Sequence, residues 1–174
     1  IVDDDGKRLP EDGKSIGNLY IRGNTIAGGY YNNEEASKAA IDDEGYFGTG
    51  DVASIDEQGF LRLTDRAKDL IKSGGEWISS IDLENRAMSH PDVENCAVIA
   101  IPHEKWDERP LLVVVPVEGK KPSKEELIKH LEGHFAKWQM PDDVVYEDDL
   151  PLTATGKVSK LTLRQKYENY TLAS

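Results

Sequence analysis

The sequence predicts an α+β protein in two parts. A small, mostly antiparallel β subdomain occupies residues 1–68, and a compact α+β domain occupies residues 69–174. Three observations lead there. The first 68 residues are rich in glycine and in short strand-like pieces separated by marked turns. From Asp69 onward, apolar runs alternate with stretches of helical spacing. The length, 174 residues, is close to the ~150 of an average domain and suits one large domain or two small ones.

In the first part, residues 17–22, 52–55 and 60–63 have strand composition. Asp5-Gly6, Asp12-Gly13, Glu44-Gly45 and Asp56-Glu57-Gln58-Gly59 supply the turns between them. Residues 32–41 suit one short helix, since Glu34, Glu35, Ala36, Ala39 and Ala40 all permit it. Alone, about 68 residues bury only a modest core. In the second part, Ser79 or Ser80 caps a helix carrying Ile81, Glu84, Ala87 and Met88, and His90-Pro91 closes it. Residues 96–101 and 111–117 are continuous apolar runs, the pattern of neighbouring strands covered on both faces. Ser123-Lys124-Glu125-Glu126 is a capping box. Behind it, Leu127, Leu131, Phe135 and Trp138 recur at near-helical spacing, so this helix is expected to reach Trp138. Residues 144–146 offer a short strand and residues 161–170 a last helix.

Composition excludes several functions. There are 33 Asp and Glu against 21 Lys and Arg, a net charge of -12. Such a chain repels nucleic acid and anionic membrane, so neither is expected as a partner. No apolar stretch approaches the ~20 residues of a membrane span, so no transmembrane segment is expected. Cys96 is the single cysteine, which rules out an intrachain disulfide and fits a reducing, cytoplasmic setting. The start, Ile1-Val2-Asp3-Asp4-Asp5, has no Met and no basic or apolar leader. It is expected to be a cut inside a longer chain. His130 and His134 share a helix face, but no Glu follows His130 as a zinc-protease helix requires, so no metal site is expected on them.

Four segments carry candidate chemistry. Gly45-Tyr46-Phe47-Gly48-Thr49-Gly50-Asp51 ends on a carboxylate able to accept two hydrogen bonds from a vicinal diol; a hairpin turn with a solvated Asp is the plain alternative. Asp65-Arg66-Ala67-Lys68-Asp69-Leu70-Ile71-Lys72-Ser73-Gly74-Gly75-Glu76-Trp77 sets three cations before a Gly pair; a twisted hairpin with charged faces fits equally. Pro151-Leu152-Thr153-Ala154-Thr155-Gly156-Lys157 is a loop presenting one lysine. It is no P-loop, because Val158 replaces the required Ser or Thr and Pro151 the first Gly. Lys105-Trp106-Asp107-Glu108-Arg109-Pro110 lies between two expected strands, and packing is the plain role for Trp106. Downstream, Lys157, Lys160, Arg164 and Lys166 face one acid, Glu168, which suits either a phosphate or a helix complementing its own dipole.

The order of these segments resembles the adenylate-forming superfamily of acyl-CoA synthetases, peptide-synthetase adenylation domains and luciferase. The resemblance rests on Thr49-Gly50-Asp51, Asp65-Arg66-Ala67-Lys68-Asp69, Lys72-Ser73-Gly74-Gly75-Glu76-Trp77 and Thr155-Gly156-Lys157. Gly28-Gly29-Tyr30-Tyr31 extends it toward the start. Within the superfamily, residues 71–80 and 105–110 look most like medium- and long-chain fatty-acyl-CoA synthetases, with ligases acting on methylmercaptopropionate close by.

That resemblance implies a ligase joining a carboxylic acid to CoA through an acyl-adenylate, with ATP cleaved to AMP and pyrophosphate. Asp51 would hold the ribose hydroxyls with Arg66 close by, and Lys157 would be the catalytic cation of adenylation. Lys68 would be the hinge about which the second domain turns between half-reactions. Lys72 and Trp77 would lie near nucleotide and acyl entrance, and Ser73, Gly74, Gly75 and Glu76 near the pantetheine of CoA. The phosphate loop, the acyl pocket and most Mg2+ ligands would lie upstream of Ile1, as would any homodimer contact, so residues 1–174 alone are expected to be inactive. Other acids, a carrier protein as acceptor, or a non-catalytic binding module of the same fold remain open alternatives.

Overall fold

The computed structural model describes residues 1–171, which fall into two compact units, Ile1–Lys68 and the residues from Asp69 onward. In the first unit, β1 (Gly17–Ile21), β2 (Phe47–Ile55) and β3 (Leu61–Arg66) form an antiparallel sheet in that order. Its turns repeat one device. Asp56 Oδ1 accepts from the N–H groups of Gln58 and Phe60 at 3.0 and 2.9 Å, and Gly59 takes φ +82° to close the hairpin. Asp42 and Gly45 do the same before β2. Helix α1 (Glu34–Ala40) starts at Asn33, whose side chain accepts from Ala36 N–H at 3.0 Å, and it buries no residue.

The second unit is built on a five-stranded sheet. Strands β4 (Ile71–Ser73) and β5 (Glu76–Ile78) form a hairpin, and β6 (Val93–His103) and β7 (Asp107–Pro116) a longer one, in the order β5-β4-β7-β6. Strand β8 (Asp143–Tyr146) pairs with β7 in parallel, which makes the sheet mixed. The expected apolar runs sit at its centre, with Cys96 opposite Val114 and Ile99 opposite Leu111.

Those runs are unbroken because both faces are covered, and side chains alternate between faces along a strand. Val98, Leu112 and Val114 pack with Leu83 and Ala87 of α2 (Ser80–Met88) and Leu127 and Leu131 of α3 (Lys124–Leu131). Ala97, Ile99, Leu111 and Val113 point the other way, to Leu150 and to Leu163 of α4 (Lys160–Lys166). Fully burying each Leu, Ile or Val contributes about 1.5–3 kcal/mol, so these two clusters dominate the unit's stability.

The α+β expectation holds, but two helices end earlier than expected: α4 at Lys166 instead of residue 170, where Tyr167 caps it with its N–H on the Leu163 carbonyl, and α3. α2 starts at the Ser79 cap and α3 at a complete Ser123–Glu126 capping box. However, α3 stops at Leu131, because Glu132 turns extended and Gly133 takes φ +79°. Phe135 still packs on the core, whereas Trp138 belongs to a separate short 3-10 turn, Lys137–Gln139. Among the described residues, no helix is long and apolar enough to cross a membrane.

Candidate functional site

The first unit contributes one carboxylate and one guanidinium. Thr49-Gly50-Asp51 lies within β2, not in a hairpin turn. Gly50 takes φ +71°, a backbone state that Gly enters without steric penalty, and its carbonyl accepts from Ala67 N–H at 2.9 Å. Thr49 Oγ1 donates to the Leu19 carbonyl at 3.1 Å and accepts from Asp51 N–H at 3.0 Å. These bonds fix where Asp51 starts. Across the ladder its register partner is Arg66, and Arg66 Nη1 lies 3.2 Å from Asp51 Oδ1. The Asp51 side chain is 24% exposed, so solvent reaches a carboxylate that is already oriented. Beside it Asp65 is buried and accepts from Arg66 N–H at 2.7 Å. Lys68, last residue of this unit, is exposed.

In the second unit, the Ser73–Glu76 segment is a tight hairpin turn. Gly74 (φ +59°) and Gly75 (φ +85°) fill both central positions of a primed turn, whose positive φ values match the twist of the flanking strands. Lys72 faces Trp77 across it, with Nζ 4.8 Å from the ring centroid. Gly74 N–H donates to the Trp106 carbonyl at 2.9 Å. A Cβ on Gly74 would lie 2.7 Å from Trp106 Cε3, so this glycine is required by close approach as well as by φ.

Ser73, Gly74, Glu76, Trp106, Arg109, Trp138 and Asp142 line a cleft of about 440 Å³. Arg109, only 7% exposed, organises it. Its Nε donates to both Asp142 oxygens at 2.9 Å. Nη1 donates to Ser73 Oγ at 2.9 Å and to the Trp138 carbonyl at 2.5 Å. Nη2 donates to the Met140 carbonyl at 3.0 Å and to Asp142 Oδ1 at 2.5 Å. All five N–H groups are therefore engaged by the protein, and Arg109 shapes the cleft without a donor left for a ligand. Trp106 and Trp138 keep 42% and 43% of their surface exposed at its rim.

Lys157 stands outside this cleft, on its own turn. Leu152 bridges Val158, Gly156 N–H donates to the Thr153 carbonyl at 2.9 Å, and Thr153 Oγ1 accepts from Lys157 N–H at 3.2 Å. Lys157 itself is exposed. Two further titratable groups, Cys96 and His130, are engaged elsewhere. Burial, followed by the Glu84 charge, pushes the Cys96 thiol up to about 12, so it is no nucleophile near neutral pH. His130 Nε2 lies 2.9 Å from Ser89 Oγ and 3.1 Å from the Arg86 carbonyl, at a helix contact. Among the described residues, no three His, Cys, Asp or Glu side chains gather to hold a metal ion.

The structure thus brings Asp51 to Arg66, Lys72 to Trp77, and Ser73, Gly74 and Glu76 to one cleft. Arg109 is visible in the sequence only as part of the 105–110 segment, and its part in organising a cleft with Trp138 is not. An arginine opening an otherwise apolar run of seven residues was the available signal, since a cation there needs a dedicated partner. The spacing of Trp138 predicts a helix face instead.

Residues 82–157 match a sequence family described as the AMP-binding enzyme C-terminal domain. The chain is 54% identical over 98% of its length to a long-chain-fatty-acid–CoA ligase of Thermus thermophilus. It is 51% identical over 97% of its length to a 3-methylmercaptopropionyl-CoA ligase of Ruegeria pomeroyi. In each case it spans 31% of the relative, about a third. The crystal structure of ATP-bound MatB from Rhodopseudomonas palustris superposes over 97% of this chain and 33% of its own, with a TM-score of 0.86 at 34% identity.

Proposed function

We propose that this chain, whose residues 82–157 match the AMP-binding enzyme C-terminal domain family, forms part of an AMP-forming acid–thiol ligase. Its substrates are a carboxylic acid, ATP and CoA. In the first half-reaction a carboxylate oxygen attacks the α-phosphorus of ATP, and the bond to pyrophosphate breaks. In the second the CoA thiol attacks the acyl carbon, AMP leaves, and the thiol gives up its proton. The identity to the Thermus ligase supports a fatty acid as the acid, and that to the Ruegeria ligase supports methylmercaptopropionate as the second reading.

Each residue suits its role. Asp51, oriented by Arg66 and Thr49, accepts from the ribose diol. Lys157, exposed on its own turn, places its ammonium against the carboxylate and α-phosphate as charge develops there. The Gly74-Gly75 turn lets backbone approach the pantetheine arm, and the Trp106–Trp138 cleft offers it apolar walls. Lys72 and Trp77 flank the entrance. With no gathering of acids or imidazoles on the described residues, Mg2+ that accompanies ATP is assigned to other parts of the longer protein. The one thiol, buried at Cys96, supports a cytoplasmic setting.

One observation carries this reading: Lys157 and the Ser73–Glu76 turn belong to one compact unit but occupy separate loops, with Lys157 outside the cleft. Two half-reactions that need one loop each are served by turning that unit about Lys68, the residue at its border. The test is Lys157→Ala in the longer protein. Loss of one preorganised charge lowers adenylation, read as acid-dependent pyrophosphate release, by roughly 10²–10³. Conversion of supplied acyl-adenylate to acyl-CoA persists. Equal loss of both steps contradicts the reading.

A further inference from the structure

Three residues beyond Lys157 stands a second lysine whose ammonium turns inward. Lys160 Nζ lies 2.6 Å from Ser80 Oγ and 2.7 Å from Glu84 Oε1. Ser80 is completely buried, and the Lys160 and Glu84 side chains are only 13% and 18% exposed. Glu84 Oε1 also accepts from Val98 N–H at 2.7 Å. One cation therefore joins the first residue of α4 to the first turns of α2 and to the centre of β6.

Its location is chemically unusual. Lys160 opens α4, and the start of a helix is the positive end of its dipole, where a cation is disfavoured. A solvated lysine gains nothing from that position; one held by a carboxylate does. The two elements it joins are also significant. Ser80 follows β5 by two residues, so it anchors the base of the hairpin carrying Ser73–Glu76. Lys160 follows the turn carrying Lys157. That turn is closed by its own hydrogen bonds, so its placement on the unit depends on its flanks: Leu150, buried in the core, on one side, and on the other Val158, packed on the same core, followed by the charged anchor Lys160.

We propose that Lys160 is a positioning residue for adenylation: its ammonium, held by Glu84 and Ser80, fixes the Lys157 turn against the base of the Ser73–Glu76 hairpin. This rests on the reading of Lys157 given above.

The experiment uses the longer ligase and compares Lys160→Met, Lys160→Arg, Arg164→Met and Lys157→Ala. Methionine keeps the apolar stem and removes the charge, while arginine restores it. Arg164 is the control: it pairs with Asp69 Oδ1 at 2.7 Å from the same helix, one turn farther from Lys157. Lys160→Met should lower kcat of pyrophosphate–ATP exchange about 10- to 100-fold, the scale of an ångström-sized misplacement. KM for ATP and conversion of supplied acyl-adenylate should hardly change. Lys160→Arg should recover most of the exchange. Arg164→Met should lower the melting temperature without a selective loss of exchange. Unchanged exchange in Lys160→Met overturns the proposal, as does parallel loss of both half-reactions and melting temperature in Lys160→Met and Arg164→Met alike. If Lys157→Ala abolishes exchange while Lys160→Met keeps it, only this inference falls. If Lys157→Ala keeps full exchange, both readings fall.

Discussion

Replacing Arg109 with methionine removes the group that holds Ser73, Asp142 and the carbonyls of Trp138 and Met140 in one cleft. The side chain volume is roughly kept, so the loss is electrostatic. Breaking a buried ion pair by deleting one partner destabilises by about 3–5 kcal/mol, because the other charge stays behind. Asp142 is 29% exposed and recovers part of its hydration, which places the expectation at the lower end, about 3 kcal/mol. Against a total stability of about 5–15 kcal/mol this is a large fraction. The assay is urea unfolding followed by tryptophan fluorescence and by far-UV circular dichroism. With a slope of about 1–3 kcal/mol/M, the midpoint should fall by roughly 1–3 M while the slope stays constant. Arg109→Lys should fall between the two, since an ammonium can still meet Asp142 but cannot span five acceptor directions. A loss under about 1 kcal/mol for Arg109→Met would refute the reasoning, because solvent would then be replacing the guanidinium at every partner.

Further outcomes follow from the same contacts. Gly74→Ala puts a Cβ 2.7 Å from Trp106 Cε3 at φ +59°, so thioester formation should fall well below adenylation when the half-reactions are assayed separately. Asp51→Asn removes the charge facing Arg66 and weakens acceptance from the diol, so KM for ATP should rise roughly 10- to 100-fold, from a charged hydrogen bond of about 1.5–3 kcal/mol. Burial, with the Arg86 and His90 charges adding to it, lowers the pKa of His130 below its ordinary 6.5. The unfolded chain therefore binds the proton more readily, and stability present above about pH 6.5 declines as pH falls below it. His130→Gln should flatten that slope in urea midpoints taken across this range.

Much of this was legible because local chemistry and tertiary packing agree. Ser79 and Ser123 cap helices as their spacing to polar first turns predicts. The apolar runs around Ile99 and Val113 are strands because both sheet faces are covered. Agreement fails where a contact distant in sequence decides. Phe135 and Trp138 continue the spacing of α3, but Gly133 ends the helix and Arg109 draws the Trp138 carbonyl to the cleft instead. Ser73 and Arg109 are 36 residues apart, and only the register Ser73 opposite Asp107 brings them together. Lys160 reads as one more basic residue in a basic tail until Glu84 is seen beside it. Asp51 and Lys157 stand out only through motif order, since neither exposure nor charge distinguishes them from other polar residues in turns and strands.

The proposed turning of one unit at Lys68 between two half-reactions is tested most directly by Lys68→Pro in the longer ligase. Proline holds φ near about -65° and removes the N–H, so a residue that changes dihedral between states is kept in one. Pyrophosphate release and thioester formation are measured separately, with a melting curve and Lys68→Ala as the variant that loses charge but keeps rotation. If Lys68 is the hinge, Lys68→Pro retains adenylation and loses acyl transfer to CoA by a far larger factor, at a nearly unchanged melting temperature, while Lys68→Ala is mild. Loss of both steps in proportion, together with a lowered melting temperature, would contradict it.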